Sequence, residues 1–246
     1  MKRYFTLAEL SIVLCCLSVL ASLVLPVSNR PVDIAQKNLC MGNLRQSVSA
    51  MLSYSESHAG WVPLISSGRY SWFQFPTMPQ ELGIPDSADG FQPASRLTTF
   101  CPSVTIQGNP WLTSLCYGVP RFWGTTANDF NRIREVEFNI GDPAWTLVRV
   151  SILPNPSDYI ILADSAFGIA VGANNPRQIT GNPSPSFLRK DAGFAAISKR
   201  HYNVANTAFA DGHVDDTSDR TNLWNKYRIG ELVSADGLIS EKIEQQ

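Results

Sequence analysis

Histidine and aspartate residues are frequent between positions 201 and 219, and these residue types could bind a metal if their spacing suited one. The group consists of His201, Asp211, His213, Asp215, Asp216 and Asp219. Its spacing does not match the alternating oxygen ligands and distal glutamate of an EF-hand calcium loop. Zinc needs convergent histidine or cysteine ligands, and no close pair in this chain has the spacing of a tetrahedral site. The sequence therefore predicts no metal ligand and no cofactor.

Five cysteines offer thiol chemistry, and their placement divides them into two sets. Cys15 and Cys16 lie in an apolar N-terminal segment, whereas Cys40, Cys101 and Cys116 lie outside it. The second set allows one disulfide and one free thiol. If this part of the chain is exported to an oxidising compartment, a Cys40–Cys101 disulfide would tether the middle region to the helix predicted around Cys40. A Cys101–Cys116 disulfide is the rival pairing, and buried free thiols are the remaining alternative.

An enzymatic cysteine would need a base, and His58 and His201 are the candidates. No local signature accompanies either pairing, because the chain lacks a G-x-S-x-G elbow, a P-loop and a G-x-G-x-x-G fingerprint. The formal net charge of −1 over 246 residues provides no basic field for nucleic acid. The sequence therefore predicts a protein that is not an enzyme and does not bind nucleic acid.

An apolar segment at residues 5–27 carries one charge, Glu9. As a helix, this segment would extend about 34 Å, enough to cross a bilayer core of about 30 Å. Lys2 and Arg3 precede it, so the positive-inside rule predicts a cytoplasmic N-terminus and export of everything after Pro26.

A carboxylate inside this apolar segment requires an explanation. A cleaved signal peptide, a lipoprotein signal and a plain single-pass anchor are the ordinary interpretations, although Leu14 before Cys15 is too large for a lipoprotein site. A charged residue deep in a spanning helix costs about 2.5–3.5 kcal/mol on insertion scales. Glu9 fits all three interpretations poorly, which indicates a functional role for its charge.

The stretch RYFTLAELSIVL resembles the type IV prepilin signature, in which a basic leader ends before a phenylalanine and Thr-Leu-x-Glu-Leu follows. The resemblance implies that a prepilin peptidase cuts between Tyr4 and Phe5 and methylates the new N-terminus. It also implies that Glu9 pairs with the N-terminal amine of a neighbouring subunit and that Pro26 kinks the helix. The family usually has glycine at the position of Tyr4. Because some pseudopilins hold calcium in a C-terminal loop, calcium is the alternative to having no cofactor.

An amphipathic helix is predicted at residues 28–60, with Gly60 as its stop signal. The apolar residues that recur at helical spacing are Cys40, Leu44, Val48 and Met51. This face should pack against the rest of the protein.

Strands are predicted at residues 145–153, 158–164 and 194–198. Asp211 and Gly212 lie between strand-like runs at 207–210 and 213–217, which predicts a hairpin whose two turn residues both have positive φ. The predicted fold class is α+β. A long N-terminal helix, with its first half in the membrane, packs on an antiparallel sheet in a pilin-like arrangement with loop-rich insertions.

A second resemblance has its main motif in the C-terminal half, and its matches together reach from residue 2 to about 214. His201, nine intervening residues, Asp211 and Gly212 are similar to the H-X9-DG motif of a bacterial family of prepilin-like proteins. CMGNLRQ at 40–46, FCPS at 100–103 and YGVP at 117–120 also resemble that family. This resemblance implies a class of protein without specifying a mechanism.

The predicted organisation is a basic leader at 1–4, a transmembrane assembly helix at 5–27, an amphipathic helix at 28–60 and an exported head at 61–246. The resemblances imply a pseudopilin-type structural subunit of a type IV pilus- or type II secretion-like system in the bacterial inner membrane. Its expected partners are the membrane, prepilin peptidase, and like subunits or other pilins through the N-terminal helix. A membrane-tethered extracytoplasmic binding module that does not polymerise is the alternative.

Overall fold

Helices form the N-terminal part of the described chain, and strands form most of the rest. The computed structural model describes residues 6–24, 29–66, 71–75, 78–83, 98–99, 101–104, 116–120, 133–136, 145–167, 186–187, 195–219, 229, 231–234 and 240–243. The helices within these ranges are α1 (Leu7–Val24), α2 (Asn29–Ser57) and the short α3 (Met78–Glu81). The predicted α+β class is confirmed.

Twelve strands lie in the described ranges, and short 3-10 turns at Trp72–Gln74, Val150–Ile152 and Pro156–Asp158 accompany them. The strands are β1 (Trp61–Ser66), β2 (Val119–Pro120), β3 (Ile133–Val136), β4 (Trp145–Arg149), β5 (Ile160–Ala163), β6 (Ser165–Phe167), β7 (Ser186–Phe187), β8 (Ala195–Lys199), β9 (Asn206–Phe209), β10 (Val214–Asp216), β11 (Glu231–Ser234) and β12 (Ser240–Lys242).

The strands form four small sheets. Two are antiparallel, with the orders β1-β4-β3 and β10-β9-β5. The third has the order β12-β11-β8-β6, and its central pair, β8 and β11, is parallel. The fourth is the parallel pair β2-β7. A strand therefore forms within each predicted run, but the predicted strand at 145–153 ends at Arg149, where a 3-10 turn follows. The sheets are mixed rather than uniformly antiparallel.

A capping box starts α1. The backbone N–H of Thr6 donates to the Glu9 carboxylate at 2.8 Å, and the Glu9 N–H donates to Thr6 Oγ1 at 3.3 Å. This reciprocal pair satisfies two of the N–H groups that a helix start leaves without partners. Glu9 therefore has a local structural role in addition to the role that its charge suggests.

The second helix buries the face that its periodicity predicts. Cys40, Leu44 and Met51 are fully buried, and the helix lies against β1 and β9. Lys37, on the same helix, forms an ion pair with Asp216 of β10 at 2.6 Å. The helix ends at Ser57, three residues before Gly60, whose φ of +81° suits a residue without a Cβ.

The hairpin at Asp211 and Gly212 is confirmed, but the predicted turn type is wrong. The N–H of Gly212 donates to the carbonyl of Phe209 at 2.9 Å, and the N–H of Phe209 donates to the carbonyl of His213 at 3.0 Å. The loop therefore has three residues, and of the Asp-Gly pair only Gly212 has a positive φ, +91°. A turn followed by one left-handed glycine is the usual three-residue hairpin connection.

Several predictions concern residues 1–5 and 25–28, which lie outside the described ranges. They include the processing site at Tyr4 and Phe5 and the kink at Pro26. Among the described helices, none has the length and apolar character required to cross a membrane.

Candidate functional site

Four buried side chains converge beside α2 to form what we call the CCDH cluster: Cys40, Cys101, Asp164 and His201. One potential ligand atom from each residue lies within 4.8 Å of those of the other three. Their exposed fractions are 0%, 3%, 1% and 2%, respectively. These residue types at these separations could hold a metal ion.

Each member of the cluster comes from a different part of the fold. Cys40 lies in the middle of α2. Cys101 lies in a loop that two hydrogen bonds attach to α2. Ser47 Oγ donates to the carbonyl of residue 98 at 2.7 Å, and Ser103 Oγ donates to Gln36 Oε1 at 3.0 Å. The helix therefore positions the loop that carries the second thiol.

Asp164 lies where the chain passes from one sheet to another, between β5 and β6. Its N–H donates to the carbonyl of Asn206 at 3.0 Å, and its carbonyl accepts from the N–H of Ser198 at 2.8 Å. The backbone of Asp164 is thus held by β9 on one side and β8 on the other. Its side chain is directed by a further bond, because the N–H of Asn206 donates to Asp164 Oδ2 at 3.0 Å.

A tight turn between β8 and β9 positions His201. The backbones of His201 and Val204 exchange hydrogen bonds of 3.0 and 2.9 Å. Between them, Tyr202 and Asn203 have φ values of +47° and +65°. Positive φ at both central residues defines a type I′ turn. The type I′ turn predicted at Asp211 and Gly212 therefore occurs nine residues earlier in the chain, at Tyr202 and Asn203.

The contacts inside the CCDH cluster form a closed network. Cys40 Sγ lies 3.4 Å from Asp164 Oδ1, and Cys101 Sγ lies 3.2 Å from His201 Nε2. The same Nε2 lies 3.5 Å from Asp164 Oδ2. The hydroxyl of Tyr117 completes the surroundings, because it donates to the Cys40 carbonyl at 3.1 Å and approaches Cys40 Sγ at 3.4 Å.

The environment separates the acidities of the two thiols. Burial raises the pKa of Cys40 well above its ordinary value. The hydrogen bond with Cys40, assisted by the one with His201, lowers the pKa of Cys101 to about 7. Burial lowers the pKa of His201, but the hydrogen bonds with Asp164 and Cys101 outweigh it and raise the pKa to about 9. Cys101 is therefore the more acidic of the two thiols, and it lies beside an imidazole that holds its proton more tightly than usual.

This geometry differs from that of a catalytic triad. In a triad, the carboxylate holds one ring nitrogen of the histidine while the other nitrogen faces the nucleophile. Here Cys101 and Asp164 both face Nε2 of His201. The cluster is also buried, since none of its members is more than 3% exposed. The arrangement favours ligand convergence over nucleophilic catalysis.

All five cysteines are free thiols in this structure. Of the two proposed disulfide pairings, the fold brings Cys40 and Cys101 into one cluster, whereas Cys116 is not a member of it. Cys116 is buried outside the cluster. Burial raises its pKa to about 12, although a hydrogen bond with Ser71 acts in the opposite direction.

The residues of the H-X9-DG motif lie at two different places in the fold. His201 belongs to the CCDH cluster at the start of β9, whereas Asp211 and Gly212 form the turn at its other end. Asp211 Oδ1 accepts from the His213 N–H at 3.1 Å and pairs with the His213 ring. Burial raises the pKa of Asp211, but these bonds with His213 outweigh it and lower the pKa below its usual value. The motif marks the two turns that bound one strand.

Sequence reasoning missed Asp164 as a site residue and did not connect it with the cysteines. A carboxylate directly after the apolar run YIILA was the available signal, since a charge at the end of a buried strand needs a partner. Zinc was rejected because no close pair of ligands exists in the sequence. The structure instead assembles four ligands that are remote from one another along the chain.

Comparison with known proteins finds no matching family model, no matching curated protein and no matching solved structure.

Proposed function

We propose that the protein is a membrane-anchored, prepilin-like subunit with a structural role in a type IV pilus- or type II secretion-like assembly. The observation that carries the proposal is the surface of α1. Leu7 is 85% exposed and Ile12 is 64% exposed, and large apolar side chains continue around the helix. A helix whose exposed surface is largely apolar requires an apolar environment, either lipid or other helices.

The placement of Glu9 supports lateral assembly. It is the only charged residue of α1 and lies in its first turn. In the proposed function, residues 5–27 form the anchor, with the N-terminus cytoplasmic and the head outside the inner membrane. Prepilin peptidase would cut before Phe5, and Glu9 would then pair with the new amine of an adjacent subunit. A carboxylate in an apolar segment is acceptable when a neighbour supplies its counter-charge.

We also propose that the fold has no catalytic function. The CCDH cluster is the only grouping of three or more potential metal-ligating side chains among the described residues, and it is closed to solvent. Its proposed role is to hold the head together beside α2, which is consistent with a structural subunit.

Glu9→Gln and Glu9→Ala separate the two roles of this side chain. Glutamine keeps an oxygen that can accept from the Thr6 N–H, so α1 should start normally, whereas alanine removes both the cap and the charge. If the charge sets subunit register, both variants should lose assembly, measured as the fraction of crosslinked multimers in membranes. Glu9→Asp, which retains the charge, is the control. Multimers of Glu9→Gln at the wild-type level would refute the register role.

A membrane-tethered binding module that does not polymerise is the second candidate. Tyr4, where prepilins usually have glycine, favours it, because an uncut leader would keep the subunit out of a filament. The N-terminal residue of the purified protein distinguishes the two candidates.

A further inference from the structure

We propose that the CCDH cluster (Cys40, Cys101, Asp164 and His201) is a zinc site that fixes α2 to the head. Two sulfurs, one imidazole nitrogen and one carboxylate oxygen form a donor set that suits Zn²⁺. Calcium takes six to eight oxygen ligands, and Asp164 is the only member of the cluster that offers oxygen from its side chain. The chemistry of the donors therefore favours zinc over the calcium alternative considered from the sequence.

The distances between the donors fit a tetrahedral ion. Zinc–ligand bonds of about 2.0–2.3 Å place neighbouring donor atoms roughly 3.3–3.8 Å apart. Three separations in the cluster are close to this range: 3.4 Å for Cys40–Asp164, 3.2 Å for Cys101–His201 and 3.5 Å for His201–Asp164. The remaining pairs are within 4.8 Å. An ion at the centre requires only small side-chain shifts.

The surroundings orient the ligands as in a structural metal site. The Asn206 N–H donates to Asp164 Oδ2 and so holds the carboxylate in place, with Oδ1 at 3.4 Å and Oδ2 at 3.6 Å from Cys40 Sγ. The Tyr117 hydroxyl fixes the backbone of Cys40 through its carbonyl. Such outer contacts hold ligands in position and adjust metal affinity.

The placement of the ligands predicts what the ion would do. It would join α2, the loop at residues 101–104, the β5–β6 junction and the β8–β9 turn at one point. A ligand that binds only the folded state raises the melting temperature, by roughly 5–10 °C for a chain of this size at 100-fold excess over Kd. All four positions are saturated by protein, so the proposed ion is structural and has no open coordination site.

Metal analysis of the full chain tests the proposal. The protein is purified in mild detergent without chelators, and zinc is measured by plasma mass spectrometry. We expect about one zinc per chain. EDTA treatment should remove the zinc and lower the melting temperature by the amount that zinc binding had raised it, and added Zn²⁺ should restore both. Replacement by Co²⁺ should give thiolate charge-transfer and tetrahedral d–d bands. The Co²⁺ spectrum of the wild type does not depend on any variant folding.

Two variants sharpen the test. Cys101→Ser should lower zinc content at least tenfold and abolish the charge-transfer change, whereas Cys116→Ser, at an equally buried cysteine outside the cluster, should retain both. Two results would overturn the proposal. One is a Cys40–Cys101 disulfide without metal, seen as a mass two hydrogens lower. The other is reduced protein that takes up neither Zn²⁺ nor Co²⁺. Neither result depends on processing at Phe5 or on assembly, so failure here leaves the proposed function standing.

Discussion

His201 Nε2 faces a thiol and a carboxylate at once, and this convergence defines the chemistry of the CCDH cluster. A buried carboxylate is costly unless it is paired or hydrogen-bonded, and Asp164 has both an N–H from Asn206 and the imidazole at 3.5 Å. Two buried thiols beside it add further acidic groups. A cation at the centre would satisfy all of them, which is the physical basis of the proposed zinc site.

The Lys37–Asp216 ion pair should contribute to the stability of the fold by an amount that depends on pH. Burial raises the pKa of Asp216, but hydrogen bonds from Lys37 and Ser218 outweigh it and lower the pKa below its ordinary value. Because the folded-state pKa is the lower one, the stabilisation is complete above the unfolded pKa and is lost as the pH falls through the folded value. The pair is partly exposed, so its contribution is at most about 1 kcal/mol.

Asp216→Asn should therefore lower the free energy of unfolding by up to about 1 kcal/mol at pH 7, and the difference should shrink as the pH falls through the folded-state pKa of Asp216. Urea unfolding from neutral to acidic pH measures it. Lys37→Gln, which removes the other member of the pair, is the comparison and should give a deficit with the same pH dependence. A deficit for Asp216→Asn that does not change as the pH falls would contradict the assignment.

At the scale of elements, the β9–β10 hairpin depends on one glycine. Gly212 has φ +91°, and a Cβ there would lie 3.2 Å from Leu52 Cδ1 of α2. Gly42, on the exposed side of α2, has no atom within 4 Å of where its Cβ would be. The same substitution should therefore have opposite effects at the two positions.

Gly212→Ala should destabilise the protein by about 1–2 kcal/mol, because alanine resists a positive φ. Gly42→Ala should stabilise it by about 0.5–1 kcal/mol, since alanine is the better helix former. Chemical denaturation of the two variants side by side provides the measurement. Equal effects of the same sign would show that the turn geometry at Gly212 is wrong.

The helices and strands also show which parts of the fold could be predicted from the sequence. Helical spacing predicted the buried face of α2, an apolar run predicted β5, and Asp211 and Gly212 marked the end of β9, because these signals are local. Parallel pairing of β8 with β11 leaves no local signal. The hairpin was found, but its turn type was not, since Asp-Gly suits both two- and three-residue loops.

The candidate site was less predictable than the elements, for a physical reason. Cys40 and Asp164 are 124 positions apart, and Cys101 and His201 are 100 apart. Only tertiary packing brings such residues together, so spacing rules for metal motifs could not detect them. His201 was singled out by its motif, but its partners required the fold.

At the scale of the whole molecule, the described chain consists of an apolar N-terminal helix, α1, and of strands that pack around α2. The CCDH cluster and the Lys37–Asp216 pair both hold α2 to the strands. In the proposed function, contacts that hold α2 to the strands would keep the head in a fixed position relative to that helix, and this connects the proposed site with the proposed function.

The N-terminus of the membrane-extracted protein tests the central claim most directly, by mass spectrometry of its first peptide. The account predicts a chain that begins at Phe5 and carries a methyl group on its amine. An intact Met1 would contradict it and favour a tethered module, and a chain beginning near Ser22 would show an ordinary secretory signal.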